Sequence, residues 1–366
     1  MHKNCLNYPV EFVKDAFGES DVLAKMLKGG REGESAPRVL IVADQNVAQR
    51  TEGLGSKIGR YVHAHGIVLA GKPVVIGGGE KAKLDSMQSS LRVASAILSG
   101  RLGQRDVVLV IGGGSVMDAA CWAAAQTGGG VPVVRVPTTP EAMLDAAFAE
   151  YAAVNSSSVK DALRVKVSPA GVVVDTMFAA TVLDGVWRGG VGEAVRLALA
   201  RDASLFKKLL PLADAYRSRD AKTLDDIVSL VHATRTKKGA TTFALWSAMR
   251  LQEMSGWKLP HGYAVSIGVL VDLSYAVAAG AVKEEVRDSV VRFFAECGTL
   301  DGLVHSQYLL QQADGLLEGV GDWCRASQDG TVEVLAGVGK TKGVSGLDEA
   351  VFKESLKYLV SLPSKR

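Results

Sequence analysis

The chain has 366 residues, 48% of them hydrophobic, with 40 glycines and a formal net charge of +3 from 42 basic and 39 acidic side chains. That length predicts two domains, each able to bury its own core. The near-balanced charge, whose longest notable basic pairs are Lys207–Lys208 and Lys237–Lys238, argues against a nucleic-acid partner. Cys5, Cys121, Cys297 and Cys324 have neither metal nor redox spacing and read as reduced thiols of a cytoplasmic protein. MHKNCLNYPVEFV at the N-terminus lacks the basic-then-apolar pattern of a secretion signal.

Taken in chain order, apolar runs at 38–43, 73–78, 107–113, 131–137 and 171–175 read as buried strands. Helix-like segments at 46–66, 81–100 and 115–126 fall between them. Continuous Val/Ile runs separated by helices are the mark of a parallel sheet covered on both faces. From about residue 178 the periodicity turns helical, and TVLDGVWRGG supplies the boundary. The expected fold is α/β plus all-α: a Rossmann-like parallel-sheet domain over 1–180, then a helical domain over 181–366, with a cleft between them. YAVSIGVLVDLSYAVAAGAV at 263–282 is long enough to span a bilayer, but Asp272 in its middle and the lack of a second span favour a buried core helix.

VVLVIGGGSVMDAA at 107–120 reads as strand, glycine turn and helix. Glycines at 112–114 let a ligand approach the backbone, and the helix start offers N–H groups and a positive dipole end, as a pyrophosphate requires. VPTTP ends the next strand with two hydroxyls, VIGGGEKAK ends another with Glu80 and Lys83, and VADQNV ends a third with Asp44 and Asn46. Ligands of open parallel sheets bind at these carboxyl ends, so the clusters together predict a nucleotide crevice. LPHGYAVSIG at 259–268 places His261 at a helix start, followed by Gly262 to let another backbone pass closely.

In their order, GGGSVMD, VPTT, LDAAFAEYAAVN, VVVDTMFAAT, GGVGEAVRLAL and HGYAVSIGV resemble the dehydroquinate synthase-like superfamily. That group holds dehydroquinate synthase and other sugar phosphate cyclases, with glycerol dehydrogenase and iron-containing alcohol dehydrogenases as distant relatives. The resemblance implies NAD, a divalent metal (Zn or Co), a homodimer, and a small polyol, cyclitol or sugar-derived substrate. In such a cyclase NAD transiently oxidises a substrate hydroxyl, and the metal polarises its oxygen. Carried over position by position, it implies nucleotide contacts from Asp44, Asn46, Glu80, Lys83, Gly113, Gly114, Ser115, Asp118, Thr138, Thr139 and Thr181. Asp145, Tyr151, Lys160 and Arg196 would serve the catalytic side, and Glu193 and His261 would be metal ligands.

Several positions depart from the family pattern. Ala244 and Ala248 stand where histidines are expected, and His232 is the nearest upstream histidine. Tyr151 replaces a lysine, Gly129 an arginine, Gly330 and Thr331 paired lysines, and Arg196 the lysine after the metal glutamate. Phosphate recognition relies on such donors, so the expected substrate is atypical and not a classical sugar phosphate held in the usual pose. A plain polyol or alcohol dehydrogenase and a non-catalytic NAD-binding homologue are the alternative readings.

Overall fold

The computed structural model describes residues 6–29, 36–79, 86–156, 159–300, 308–327 and 329–362. The chain divides into two compact units, Asn7–Leu183 and the stretch from Asp184 onward.

The first unit is built on seven strands: β1 (Val10–Phe12), β2 (Arg38–Asp44), β3 (Val68–Leu69), β4 (Val74–Ile76), β5 (Val107–Gly112), β6 (Val133–Pro137) and β9 (Gly171–Val174). Their order is β1-β9-β6-β5-β2-β3, with β4 also on β2. All pair in parallel, so one edge of the sheet collects the carboxyl ends. Every residue of β5 and β6 is buried, which explains the unbroken apolar run of β5 and a β6 interrupted only by Arg135. The helix Gly114–Gln126 lies close because it buries mainly alanines with Val116, Met117 and Cys121. The single helix expected over 46–66 is two helices, Gln45–Arg50 and Leu54–Ala64, parted at Gly53, whose φ is 67°.

An antiparallel hairpin, β7 (Tyr151–Ser156) with β8 (Val159–Lys166), was absent from the sequence reading. Buried Arg135 ties it to the sheet: Nη1 donates to Ala147 O at 3.2 Å and Ala149 O at 2.6 Å, and Nη2 to Val167 O at 3.1 Å. A charged side chain thus sits inside a strand that reads as apolar, its two terminal nitrogens satisfied by carbonyls flanking the hairpin while Nε is buried without a hydrogen-bond partner among the described residues.

The second unit is mainly helical, as expected, with one hairpin that periodicity did not reveal: β10 (Val332–Gly337) and β11 (Lys340–Val344). The helix His261–Ala278 has 72% of its apolar window buried within the protein, and it is the one described helix long and apolar enough to cross a membrane. Its Asp272 accepts from Trp246 Nε1 at 2.7 Å and Ser247 Oγ at 2.5 Å. Burial pushes this carboxyl up to about 7 against the pull of those two bonds.

Glycines set how the helices of this unit meet. A Cβ on Gly262 would lie 2.6 Å from Gly189 backbone atoms, and one on Gly192 would lie 2.7 Å from Ser266 Oγ. The His261–Ala278 helix therefore touches the segment 189–192 almost backbone to backbone, as the placement of Gly262 suggested. Gly262→Ala forces the two backbones apart. It is expected to cost about 1–3 kcal/mol, read as a lower midpoint in chemical denaturation.

Candidate functional site

Within the first unit, the expected nucleotide-contact residues gather at the carboxyl ends of β2, β4, β5 and β6. Asp44 closes β2 and caps the next helix: its Oδ1 accepts from Asn46 N at 2.7 Å and Asn46 Nδ2 at 3.2 Å. Burial pushes its carboxyl up, opposed by those bonds and by the Gly113 backbone. Its other face leaves no room for a side chain at Gly78, where a Cβ would lie 2.0 Å from Oδ2. Asp44 and Asn46 are thus engaged with each other, so Asp44 shapes the crevice floor.

Gly113 precedes the helix Gly114–Gln126 and leaves its start without a side-chain cap. A Cβ on Gly113 would meet Thr139 Cγ2 at 3.1 Å, and one on Gly114 would meet Ala146 Cβ at 3.3 Å. Ser115 Oγ accepts from Gly79 N at 3.1 Å, joining the β4 and β5 turns. Thr138 is fully buried, and its Oγ1 has no hydrogen-bond partner among the described residues. Thr139 caps the helix Pro140–Leu144 by accepting from Ala142 N at 3.2 Å.

The remaining positions are more dispersed. Asp118 Oδ1 accepts from Ala153 N at 3.5 Å, on the hairpin side of its helix. Asp145 ends the helix Pro140–Leu144, and Thr181 Oγ1 donates to Phe178 O at 3.1 Å. Tyr151, at the start of β7, is exposed. Glu80, Lys83 and the Lys160 side chain lie outside the described residues.

The second unit brings Glu193 and His261 together. Glu193 sits in the first turn of the helix Val191–Arg201, 1% exposed, and the glycine crossing above it admits His261. His261 Nε2 lies 3.6 Å from Glu193 Oε1. Gln252 Nε2 donates to Leu259 O at 3.2 Å, so its Oε1, 3.1 Å from His261 Nδ1, is the acceptor. Nδ1 therefore donates to Gln252, and Nε2 is the ring nitrogen that faces Glu193.

Arg196 is the largest departure from expectation. Read from the resemblance as a basic group beside the substrate, it is 1% exposed and turned onto Glu193. Its Nε and Nη2 both reach Glu193 Oε2 at 2.7 Å, and Nη1 donates to Thr241 O at 2.5 Å. Sequence reasoning tested this position for lysine-like reach and overlooked the i, i+3 geometry that folds an arginine back on the glutamate.

Glu333 holds the Thr241 carbonyl in place and was likewise missed. From β10, its Oε2 accepts from Thr241 Oγ1 at 2.8 Å, Thr242 N at 2.6 Å and Phe243 N at 3.0 Å. Its Oε1 pairs with Arg201 Nη1 at 2.7 Å. Burial alone would raise this carboxyl, but the threonine hydroxyls, Arg201 and the Thr242 N–H hold it at about 2.

These donors do not make a protein-held catalytic metal site. Glu193 Oε1 is buried without a hydrogen-bond partner among the described residues and faces His261 Nε2, which supplies two ligands. Catalytic zinc takes three, and no group of three His, Cys, Asp or Glu side chains among the described residues could hold an ion. His232 does not fill the gap: it lies on the helix Ala221–Lys238 with Nε2 3.5 Å from Thr236 Oγ1. Ala244 and Ala248 are fully buried, and a Cβ on Gly268 would stand 2.8 Å from Ala244 O and 3.0 Å from Ala248 N.

A parallel sheet with a glycine turn and hydroxyls at its strand ends, followed by a helical unit with a buried Glu–His pair, defines an α/β-plus-helical protein of the dehydroquinate synthase fold. A family model described as 3-dehydroquinate synthase N-terminal matches residues 73–188. The 3-dehydroquinate synthase of Sulfolobus acidocaldarius is 27% identical over 230 residues, 60% of this chain and 65% of that one, so the match spans under two-thirds of the relative. The 2-epi-valiolone synthase of Actinosynnema mirum is 26% identical over 304 residues, 80% of this chain and 76% of that one. The structure of 2-epi-5-epi-valiolone synthase from Streptomyces hygroscopicus subsp. jinggangensis 5008, with NAD+ and Zn2+ bound, matches with a TM-score of 0.78 at 21% identity over 97% of each chain. This chain shares its fold with sugar phosphate cyclases of known structure, and its sequence is similar to those of dehydroquinate and valiolone synthases.

Glu333 supplies a pH test. A carboxyl held below its unfolded value stabilises the fold above that value, about 4.5, and the contribution vanishes as pH falls toward about 2. Glu333→Gln is expected to lose about 3 kcal/mol at pH 7. Wild type and variant should converge in denaturant titrations as the pH is lowered through that window.

Proposed function

We propose that this chain is an NAD-dependent enzyme of the sugar phosphate cyclase type, acting on a sugar-derived polyol or cyclitol in carbocycle or secondary metabolism. The observation that carries the reading is the convergence of Gly78, Gly113, Gly114, Thr138 and Thr139 at neighbouring strand ends. Side chains at Gly78, Gly113 or Gly114 would crowd that edge, and the buried Thr138 hydroxyl waits there for a partner. These residues fit a dinucleotide. The start of the helix Gly114–Gln126 would hold the pyrophosphate, with Ser115 and Thr139 beside it and Asp44 shaping the floor.

When bound, NAD would supply a reversible hydride acceptor for the carbon that bears a substrate hydroxyl. The chain's own part is proton handling and orientation. His261 Nε2, set by the Gln252 bond to Nδ1, can take the hydroxyl proton. Glu193 Oε1 stands 3.6 Å behind it and stabilises the charged ring. Lys160, Tyr151 and Asp145 are the remaining substrate-side candidates. Tyr151, Gly129 and Gly330–Thr331 stand where the resemblance implies phosphate-binding cations, which supports an atypical substrate or one held differently from a classical sugar phosphate. By likeness to the family, the working form would be a cytoplasmic homodimer.

Gly113 has φ −82° and ψ −178°, backbone angles open to any residue. Gly113→Ala, whose Cβ need move Thr139 Cγ2 by only a few tenths of an ångström, should therefore fold, crowd the crevice and weaken NAD+ binding at least about tenfold by calorimetry, or about 1.4 kcal/mol. Unchanged affinity would sink the assignment of this turn. Turnover separates the chemistries: a cyclase converts a seven-carbon sugar phosphate to a carbocycle with release of phosphate and no net NADH, whereas a dehydrogenase accumulates NADH with a polyol.

A further inference from the structure

Glu193 and His261 occupy the positions that the superfamily resemblance gives to metal ligands, yet a positive charge is already built into this site. We propose that the Arg196 guanidinium is the resident cation on Glu193 and takes the place of a divalent metal. The proposal rests on the second unit alone and stands whether or not the first binds NAD.

Three observations converge on it. Both Nε and Nη2 of Arg196 spend their hydrogen bonds on one carboxylate oxygen, Oε2, at 2.7 Å. A metal on that oxygen would have to displace a guanidinium that is 1% exposed and has no water to move into. The third corner of the fork, Nη1, is pinned to Thr241 O at 2.5 Å, and Glu333 fixes the 241–243 turn behind it. Arg196 is thus anchored at both ends and cannot swing aside without breaking a buried carbonyl contact.

Ligand number gives the second argument. One carboxylate oxygen and one imidazole remain, and fully buried alanines stand at 244 and 248, where the resemblance gives histidines. Charge gives the third. Glu193 and Arg196 already sum to zero, so a dication there would leave two uncompensated positive charges in a buried site. The residue type is also suited to the role. A lysine is a hydrated point charge, whereas the flat guanidinium fork makes parallel bonds to a carboxylate and tolerates burial.

The test uses the full chain, treated with chelator and titrated with Co2+, followed by ligand-field absorption in the visible and by Tm. Wild type is expected to show no ligand-field band, no Co2+-dependent rise in Tm, and no stoichiometric metal as purified. One Co2+ per chain, with a band lost in His261→Ala, would overturn the proposal. Arg196→Met is expected to have a lower Tm that Co2+ partly restores. If Co2+ does nothing to the variant, arginine is not what excludes the metal, and that half of the proposal fails. Should the methionine variant not fold, Arg196→Lys, which keeps charge but not the fork, is expected to gain a Co2+ response. No response there fails the same half.

Discussion

The second unit depends on one buried interaction, the guanidinium of Arg196 against the carboxylate of Glu193. Two charges taken out of water cost several kcal/mol each, and only close, well-formed bonds offset that. The surroundings supply what such a pair needs: both charges are 1% exposed, Arg196 has a carbonyl on its third corner, and His261 lies against the free carboxylate oxygen. Removing either charge would strand the other on the helix Val191–Arg201, where Thr241 O and His261 close around the pair. Glycines at 189, 192 and 262 are the steric half of the same arrangement, because only bare backbones bring the helices Val191–Arg201 and His261–Ala278 close enough.

The first unit works by removal of bulk. At the strand ends, Gly78 yields to Asp44 and Gly113 to Thr139, and the hydroxyl of Thr138 is left buried and unpaired. A buried polar atom without a partner is costly in a finished core. It makes sense where a ligand completes the site. Arg135 plays the opposite part: its charge is spent on three carbonyls that fix the β7–β8 hairpin against the sheet.

Much of this was legible in the sequence, for reasons that can be named. The five apolar runs became β2, β4, β5, β6 and β9 because a strand buried on both faces admits few polar residues. Gly262 announced a close crossing because little else explains glycine inside a helix start. The hairpins escaped because β7–β8 and β10–β11 carry mixed, half-exposed residues with no sustained alternation. At the site, Glu193 and His261 were found by motif, and the empty histidine positions at 244 and 248 were visible by counting. The use made of Arg196 was not. A side chain's direction depends on what lies around it, and Thr241 and Glu333 come from distant stretches whose meeting the linear pattern does not encode.

Glu333 gives the hairpin a reach beyond its own strands. It fixes the 241–243 turn, the turn presents the carbonyl that steadies Arg196, and Arg196 orients Glu193. Inheritance of the site is therefore divided among parts of the gene far apart from one another. A chimera that takes its last stretch from a relative would keep the glutamate, the arginine and the histidine and still lose their alignment. Divergence within such a lineage can retune the centre from the hairpin, with no change to any residue at the centre itself.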